Sequence, residues 1–372
     1  MIKVGIVGLG KMGISHMAAF RAHPDVDLVA VADTSRYSLD ILAKYTGVKT
    51  FSSLDDMVAA VELDAVVIAT PSQLHAPMVR SALQRGLHVF CEKPFVLDVV
   101  EGAELVADAQ ARGLVTQVGY HNRFVAAFAE TKRLLDLGAI GDVGHVVAEA
   151  YGPVVLKPAG GTWRSRRSAG GGCLYDYAAH PLDLLTWYFG DVTAVSGSVL
   201  NRVFSRETDD EVFSTVHFAP TTTAQLSVSW SDESQRKMST SLRMWGTNGH
   251  LSVDRQEIKV YLRDTATCPD GYGPGWNVRY TTDLTEPVWY YLRGEEYSAQ
   301  VDAFVQRIVR RETSGRSSFA DALRTDQALA MILADSERPP VTPSQQDLTP
   351  SVPAPRGWRT HFRRARTTSR RR

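Results

Sequence analysis

The sequence has little that would place the protein in a membrane or in an oxidising compartment. The most apolar stretch near the start, residues 2–9, is too short to span a bilayer and lacks the charged start and cleavage site of a signal peptide. Only three cysteines occur, at scattered spacings, which favours reduced thiols over a disulfide framework or a zinc site. We therefore expect a soluble, cytoplasmic protein with no bound metal.

The chain also lacks net charge, because 41 basic residues balance 41 acidic residues. The balance conceals an uneven distribution: eight arginines and no acidic residue lie between Arg356 and Arg372, so the rest of the chain is net negative. Six prolines precede this stretch. We expect residues 337–372 to be a disordered tail, Pro-rich and then Arg-rich; a segment that binds acidic partners or nucleic acid is the alternative. Nucleic acid is not our expected partner.

No internal repeat is evident, and 372 residues with 44% hydrophobic content can fill two cores. The segmental pattern changes once, near residue 124. Before it, short apolar runs alternate with helical patterns, as in a parallel sheet covered by helices. After it, strand-like runs follow one another. We predict one domain at residues 1–123, a second at 124–336, and the tail at 337–372.

The strongest local pattern is a glycine motif at the end of the first strand. An apolar run, Ile2–Val7, leads into G-x-G-x-x-G, which opens a helix that reaches Arg21. In this arrangement Gly8 permits a tight turn, Gly10 lets the backbone approach a pyrophosphate, and Gly13 allows close packing of helix on strand. Lys11 and Met12 complete the loop. The motif predicts a dinucleotide site.

An acidic residue stands where the adenosine ribose would lie. A second apolar run, Leu28–Ala32, ends in Asp33, twenty residues after Gly13. Its carboxylate can accept hydrogen bonds from the ribose hydroxyls. A carboxylate repels the 2′-phosphate of NADP, so we expect NAD, whereas Arg36 just beyond could bind that phosphate and keeps NADP as the alternative.

Two further strand-like runs bring polar residues to the same edge. The run 65–69 ends at Thr70 and Pro71. Because the carboxyl ends of parallel strands face the ligand crevice, we expect Thr70, Pro71 and His75 to border the cofactor. An exposed position in the next helix is the alternative for His75.

The run 88–91 delivers Glu92, Lys93 and Pro94 to that edge as well. A lysine beside a nicotinamide can hold a substrate oxygen and stabilise negative charge that develops on it. We predict that Lys93 has this role and that Glu92 contacts the cofactor. A lysine that merely pairs with a nearby acid is the alternative.

The second half predicts a sheet with helices. A helix reaches about Leu137, and two late helices are expected at residues 297–310 and 319–336. The strand-like runs are residues 143–151, 192–199, 212–218, 223–230, 239–245, 250–253 and 258–262. Turn signals between them favour a mostly antiparallel sheet. Helices on one face would leave the other open, and subunit association would cover it.

One segment of the second half combines glycines with groups that can transfer protons. Three glycines, residues 170–172, precede Asp176 and His180. A helix from Leu174 would place these two side chains on one face, because they are four residues apart. An imidazole can take a proton near neutral pH, and a carboxylate can orient it. A surface pair is the alternative, and Pro181 implies that the helix starts late or bends.

Taken together, these residues resemble the Gfo/Idh/MocA oxidoreductases, the family of glucose-fructose oxidoreductase and inositol dehydrogenase. The resemblance covers about residues 1–336 and rests on the following segments: Gly8 to Gly13, Asp33, Ala69 to Pro71, Glu92 to Pro94, Gly119 with Tyr120, Arg123 with Phe124, Trp163 with Arg164, and Gly170 to Asp183. It implies an α/β protein: an N-terminal Rossmann domain that binds NAD or NADP, and a C-terminal α+β domain with a large open sheet. It also implies a homodimer or homotetramer through that sheet.

The resemblance also implies roles for single residues. Lys93, Asp176 and His180 match the catalytic trio of the inositol dehydrogenase branch. Trp163 and Arg164 match positions that touch the cofactor in some relatives. The expected reaction is oxidation of a secondary alcohol on a sugar, cyclitol or sugar nucleotide, or reduction of the ketone. A sugar sensor that binds nucleotide without turnover is the alternative.

The substrate itself is less well defined. We expect contacts from Lys93, Asp176 and His180, together with Tyr120, Arg123 and Lys157. Basic residues near the expected pocket, Lys157, Arg164, Arg166 and Arg167, would suit a phosphate or carboxylate, or they are solvated. The aromatic-rich segment 272–291 could stack on sugar rings or be buried at a subunit contact.

Overall fold

The computed structural model describes residues 1–158, 162–291 and 294–339. The segment from Met1 to Glu337 forms one compact unit. Most of the predicted tail lies outside the described residues. No helix among the described residues is long and apolar enough to cross a membrane.

The first half of the chain builds a parallel sheet. Its elements are β1 (Ile2–Val7), α1 (Lys11–Ala22), β2 (Val26–Ala32), α2 (Arg36–Thr46), β3 (Lys49–Phe51), α3 (Leu54–Ala60), β4 (Ala65–Ile68), α4 (His75–Gln84), β5 (His88–Cys91), α5 (Val99–Ala111) and β6 (Thr116–Val118). The strand order is β3-β2-β1-β4-β5-β6, with every neighbouring pair parallel. This is the Rossmann order, in which ligands bind where the order reverses, between β1 and β4.

The unbroken apolar runs explain why these strands lie inside. Both faces of β4 are covered by helices, and its four residues are fully buried. Capping residues set the helix starts: the Ser53 and Asp98 side chains accept hydrogen bonds from the first-turn N–H groups of α3 and α5. The helix α1 instead begins directly after Gly10, without a side-chain cap.

The second half builds the second sheet and its helices. Its elements are α6 (Ala126–Asp136), β7 (Val143–Tyr151), α7 (Ala179–Phe189), β8 (Val192–Asn201), β9 (Glu211–Phe218), β10 (Thr223–Ser229), β11 (Ser239–Gly246), β12 (Gly249–Val253), β13 (Glu257–Leu262), β14 (Gly275–Tyr280), α8 (Thr281–Leu284), α9 (Glu295–Arg310) and α10 (Phe319–Ser336). The eight strands follow the order β14-β13-β12-β11-β7-β10-β9-β8. Only β7 and β10 pair in parallel. The predicted fold class, a Rossmann sheet followed by a large, mostly antiparallel sheet, is confirmed.

The second sheet has one covered and one open face. Burial alternates along β9 and β13, as expected when helices cover a single face. The open face carries exposed aromatic residues, among them Trp245, Tyr261 and Trp276. Two strands were not predicted: β3 is very short, and β14 lies within the aromatic-rich segment.

The late helices return to the first sheet. Val301, Phe304 and Val305 of α9 are fully buried in the apolar cluster that includes residues of β1 and β2. In α10, Phe319 stacks on Phe95 with ring centroids 4.1 Å apart. These helices therefore hold the halves together, and the predicted boundary at residue 123 stays a prediction.

Candidate active site

A crevice opens at the carboxyl ends of β1, β2 and β4, at the switch point of the first sheet. Its cavity measures about 780 Å³. Predicted site residues that line it are Gly8, Gly10, Lys11, Met12, Asp33, Thr70, Pro71, Glu92, Lys93, Trp163, Arg164 and Asp176. Residues from both halves of the chain thus meet around one cavity, of the size that protein ligand sites usually have.

The glycine loop leaves room for a phosphate group. Gly8 has φ +93°, which L side chains rarely adopt. A Cβ on Gly13 would lie 1.8 Å from the carbonyl oxygen of Gly8, so any side chain there would separate helix from strand. A Cβ on Gly10 would meet nothing within 4 Å. With the uncapped start of α1 beside it, this open position fits the pyrophosphate of a dinucleotide.

Asp33 lines the crevice, and two backbone N–H groups hold its carboxylate. One carboxylate oxygen accepts a hydrogen bond from the Leu9 N–H at 2.5 Å, and the other accepts one from the Ser35 N–H at 2.7 Å. Each oxygen can accept one further hydrogen bond, because a carboxylate can accept about four in all. Arg36, the alternative phosphate ligand, is exposed at the start of α2 and is not among the cavity residues.

His75 differs from both expectations. Only 1% of its surface is accessible, so it is not an exposed helix residue. It is also not among the residues that line the cavity. Its Nδ1 lies 2.8 Å from the Pro94 carbonyl oxygen, and its Nε2 lies 3.0 Å from that of Thr70. Burial lowers the pKa of His75, although the two carbonyls favour the charged form. The side chain therefore ties together the loops that follow β4 and β5.

Glu92 links the lysine loop to α1. Its carboxylate lies 2.6 Å from Nε2 of buried His16, and its other oxygen accepts a hydrogen bond from the Lys93 N–H at 3.2 Å. Burial raises the pKa of Glu92, but the bond to His16 and the charges of His16 and Lys93 lower it more. Glu92 therefore lines the crevice as an ionised carboxylate whose position is fixed by His16 and by the Lys93 N–H.

Lys93 and Asp176 form the centre of the site. The Lys93 ammonium group donates to Asp176 Oδ1 at 2.6 Å and to the Asp176 carbonyl oxygen at 2.7 Å. Arg164 Nε donates to the other carboxylate oxygen at 3.1 Å, and its guanidinium lies over the Trp163 ring. Burial raises the pKa of Asp176, but the two cations lower it below its ordinary value. Asp176 is therefore ionised.

A π-helical turn, Leu174–Ala178, explains why that carbonyl is available. In a π-helix each carbonyl accepts from the N–H five residues on, which for Asp176 would be residue 181. Pro181 has no N–H, and it lies in the first turn of α7, where proline is tolerated. Helical structure instead runs without a break from the π-turn into α7, and Lys93 occupies the freed acceptor.

His180 lies beside this centre as a buried residue. Only 5% of its surface is accessible, and its Nδ1 has no hydrogen-bond partner among the described residues. The rings of Tyr120 and His121 pack against it. Burial lowers the pKa of His180 well below its ordinary value, and Lys93 and Arg255 lower it further. The imidazole is therefore neutral at pH 7.

The predicted pair of Asp176 with His180 does not form. The Asp176 carboxylate is bonded to Lys93 and Arg164 instead. Both cations come from segments distant from α7, and together they take both carboxylate oxygens. Spacing by four residues does not show which of several possible partners a carboxylate takes.

Three predicted substrate contacts, Tyr120, Arg123 and Lys157, are not among the residues that line the crevice. Arg123 is 1% exposed and forms a bidentate ion pair with buried Asp183 at 2.8 and 2.9 Å, so it is a core residue. Tyr120 is fully buried. Lys157 is exposed and does not line the crevice. Arg167 pairs with Asp209 at 3.5 Å. Sequence spacing could not reveal that Asp183 would neutralise Arg123.

The glycine run has a structural reason at its centre. A Cβ on Gly171 would lie 2.3 Å from the Arg164 carbonyl oxygen and 2.7 Å from that of Trp163. The glycine therefore lets this segment close on the Trp163–Ser165 turn, which in turn places Arg164 beside Asp176.

Sequence reasoning missed a second group of residues near His180. Arg255, in the turn between β12 and β13, contacts His121 and Glu296, and the latter lies in the first turn of α9. Arg255 and Glu296 line a separate cavity of about 740 Å³. The sequence did contain a signal for His121, its position just after a parallel strand. It follows the end of β6 as Lys93 follows the end of β5. Arg255 and Glu296 carried no such signal.

Comparisons with known proteins agree with this arrangement. Residues 2–120 match the model of the oxidoreductase family with an NAD-binding Rossmann fold. Residues 128–252 match the model of the GFO/IDH/MocA C-terminal domain. Both models describe one family, and together they cover well over half of the chain.

Individual relatives span much of the chain. An uncharacterised oxidoreductase of Streptococcus pneumoniae is 28% identical over 324 residues, which are 83% of this chain and 86% of the relative. Inositol 2-dehydrogenase of Rhizobium meliloti is 25% identical over 315 residues, 81% of this chain and 90% of the relative. The rhizopine catabolism protein MocA of Rhizobium meliloti is 33% identical over half of this chain and 57% of its own.

Among solved structures, levoglucosan dehydrogenase in complex with NADH and L-sorbose superposes with a TM-score of 0.79. Its sequence is 22% identical, and the match covers 90% of this chain and 97% of that one. At this identity the likeness concerns the fold. With both family models matched in order along the chain, the protein belongs to the Gfo/Idh/MocA family of NAD-binding oxidoreductases.

Proposed function

We propose that the protein interconverts a secondary alcohol and a ketone on a sugar, cyclitol or sugar-nucleotide substrate, with NAD as its cofactor. The observation that carries the proposal is the position of Lys93. It lines the nucleotide crevice and also donates two hydrogen bonds to Asp176, four residues before a buried, neutral His180. A cation and a neutral base beside a dinucleotide crevice are the groups that alcohol oxidation needs.

In the proposed reaction, bound NAD supplies the acceptor for the hydride that leaves the alcohol carbon. His180 takes the hydroxyl proton while the carbon–oxygen bond becomes a carbonyl, and it returns that proton when the ketone is reduced. Lys93 donates a hydrogen bond to the same oxygen and stabilises its negative charge. The products are the ketone, the reduced cofactor and one proton held by His180.

The contacts of Asp176 suggest a role different from the one expected from sequence. We assign it the positioning of Lys93, since its carboxylate and its carbonyl both accept from that ammonium group. The carboxylate also pairs with Arg164, which lines the same crevice. His180 is then oriented by its packing against Tyr120 and His121.

The substrate class rests on the relatives. Inositol 2-dehydrogenase of Rhizobium meliloti acts on a cyclitol by its name, and a relative from Streptomyces violaceoruber is a reductase of a dTDP-bound deoxyhexose, 32% identical over 56% of this chain. Both substrates are rings with neighbouring oxygen substituents. The half-exposed Trp163 and the Arg164 guanidinium at the crevice suit such a ring and a charged substituent.

A panel of inositols, aldoses, glycosides and sugar nucleotides, assayed by the absorbance of reduced nicotinamide, tests the proposal. We expect turnover with NAD on at least one class, and its loss in His180→Ala. His217→Ala, in the second sheet, is the matched control and should keep the wild-type rate. NAD and sugar binding without turnover on any compound would refute the enzyme and favour a sugar sensor.

We also propose that a second copy of the chain covers the open face of the second sheet. Trp245 on β11, Tyr261 on β13 and Trp276 on β14 are each at least 40% exposed on that face. A contiguous exposed apolar patch is typical of a surface that binds another protein. Analytical ultracentrifugation of Trp276→Ser should show a smaller species than the wild type; a wild-type monomer would overturn the proposal.

A further inference from the structure

A second histidine lies next to the proposed base. The ring centroids of His121 and His180 are 5.1 Å apart, with the ring planes at 66°. Two imidazoles this close oppose each other's protonation, because each imidazolium repels the next. If both could take up a proton, the proton of the reaction would be shared between them.

The contacts of His121 resolve which ring stays neutral. Arg255 Nη1 lies 3.1 Å from His121 Nε2. A guanidinium has donors only, so Nε2 must accept this hydrogen bond and cannot carry a proton. His121 is then the neutral tautomer with its proton on Nδ1, and protonating it requires that the bond to Arg255 break.

Arg255 is itself held in place. Its Nη2 forms an ion pair with Glu296, whose side chain is 6% exposed. Gly294 allows this approach: a Cβ there would lie 2.3 Å from a Glu296 carboxylate oxygen. The next residue of α9, Tyr297, stacks on the His121 ring at 4.9 Å and 15°. The first turn of α9 therefore fixes His121 in two ways. Tyr297 stacks on its ring, and Glu296 holds the arginine that donates to its Nε2.

We propose that Arg255, anchored by Glu296, is a positioning residue that holds His121 in the neutral Nδ1–H tautomer, so that the proton of the reaction resides on His180 alone. The inference rests on the proposed role of His180 and adds residues that the family comparison does not assign. The ionisable and charged groups around the pair come from five elements: Lys93 after β5, Tyr120 before His121, Asp176 in the π-turn, Arg255 between β12 and β13, and Glu296 with Tyr297 in α9.

The first test reads the tautomer directly and needs no turnover. In protein labelled with ¹⁵N-histidine, His121→Phe identifies the His121 signals. We expect Nε2 of His121 to remain unprotonated from pH 5.5 to 8.5 in the wild type, and to titrate in Arg255→Gln. A protonated Nε2 in the wild type would overturn the inference, whether or not the protein proves to be an enzyme.

The second test reads the consequence for catalysis on whichever substrate the panel identifies. Arg255→Gln should move the acid limb of kcat/KM upward by about one pH unit, because a cation near His180 is removed. Arg255→Lys keeps the positive charge but lacks the planar fork that contacts both His121 and Glu296. The acid limb of kcat/KM should therefore stay at its wild-type pH, whereas His121 should no longer be held in one tautomer. If Arg255→Gln does not fold, Arg255→Lys still tests whether the planar guanidinium fixes the tautomer of His121.

Matched variants separate positioning from general damage. Arg112→Gln removes a surface arginine that pairs with Asp108 and should change neither readout. His121→Phe keeps the stacking on Tyr297 and removes the nitrogens, so in the Arg255→Gln background it should leave only the charge effect on the acid limb. An Arg255→Gln profile identical to that of the wild type would refute the inference. A wild type without turnover would instead refute the proposed function and leave the tautomer result standing.

Discussion

The Lys93 ammonium group donates two hydrogen bonds to one residue, the Oδ1 and the carbonyl oxygen of Asp176, at 2.6 and 2.7 Å. An ammonium group has three donors, so one N–H remains for a substrate oxygen. The two bonds fix the direction of the third. Lys93 therefore offers a positive charge and an N–H group whose direction is fixed before a substrate binds.

Replacing Lys93 with Met should reduce kcat by about 100-fold or more, because a preorganised donor at a developing oxyanion is lost. Steady-state kinetics on the substrate found in the panel measures this, and fluorescence titration with NADH should show cofactor binding close to that of the wild type. Lys44→Met, on the exposed side of α2, is the control. A kcat within a factor of about three of the wild type would exclude Lys93 from the chemistry.

The glycine loop allows stability and cofactor binding to be separated. Gly13→Ala should lower the melting temperature, because the new Cβ would meet the Gly8 carbonyl at 1.8 Å. Gly10→Ala has free space around its Cβ and should melt normally, yet bind NADH more weakly, because that space is the one we assign to the pyrophosphate. Calorimetry and NADH titration measure the two effects. Gly144→Ala in β7, also with open surroundings, should alter neither.

Arg123 is predicted to contribute to stability and not to substrate binding. Arg123→Leu leaves the buried Asp183 carboxylate unpaired and should lower the free energy of unfolding by about 3–5 kcal/mol. Urea unfolding measures the change, and Arg123→Leu with Asp183→Leu should recover part of it. A rise in KM with an unchanged free energy of unfolding would instead indicate that Arg123 contacts the substrate.

Two buried histidines should make stability depend on pH. Burial lowers the pKa of His75 and that of His180 below the ordinary value of 6.5 in the folded protein. The unfolded chain therefore binds more protons below pH 6.5, and stability that is complete above 6.5 is lost as the pH falls towards the folded-state pKa values. Denaturant unfolding between pH 8 and 5 should show this loss, and His180→Gln should reduce the slope. An equal slope in that variant would contradict the assignment.

The choice of cofactor should depend on Asp33. Asp33→Asn keeps an oxygen that can accept from a loop N–H but removes the charge that repels a 2′-phosphate. We expect the ratio of kcat/KM for NADP to that for NAD to rise by about tenfold or more, which corresponds to roughly 1.4 kcal/mol. An additional Arg36→Ala should lower NADP use if that exposed arginine binds the phosphate. An unchanged ratio in Asp33→Asn would show that the carboxylate does not select the cofactor.

The first sheet was predictable because its signals are local. The apolar runs of β1, β2, β4 and β5 are each followed within a few residues by groups that line the crevice, as Asp33 follows β2 and Lys93 follows β5. Position at a strand end is enough to place such residues together. The open sheet was predictable from signals of the same local kind, strand-like runs separated by turn residues.

The sequence could not show contacts between distant segments. Arg123 looked like a substrate ligand because its partner Asp183 lies 60 residues away. Asp176 looked like a partner of His180 because helical spacing does not show that Lys93 and Arg164 take both of its carboxylate oxygens. Arg255 and Glu296 became relevant only when α9 was seen to lie against His121. Such errors arise where tertiary packing decides which of several possible partners a charged group takes.

The return of α9 to the first sheet bears on how the protein is made. Phe304 packs edge-on against Phe20 and Phe90, at 6.2 and 5.8 Å, and so completes a core that begins within the first residues of the chain. During synthesis the nucleotide-binding half emerges from the ribosome first but is left with an unfilled aromatic cleft until this helix appears. The nucleotide-binding half is therefore expected to reach its final packing only after α9 has been synthesised.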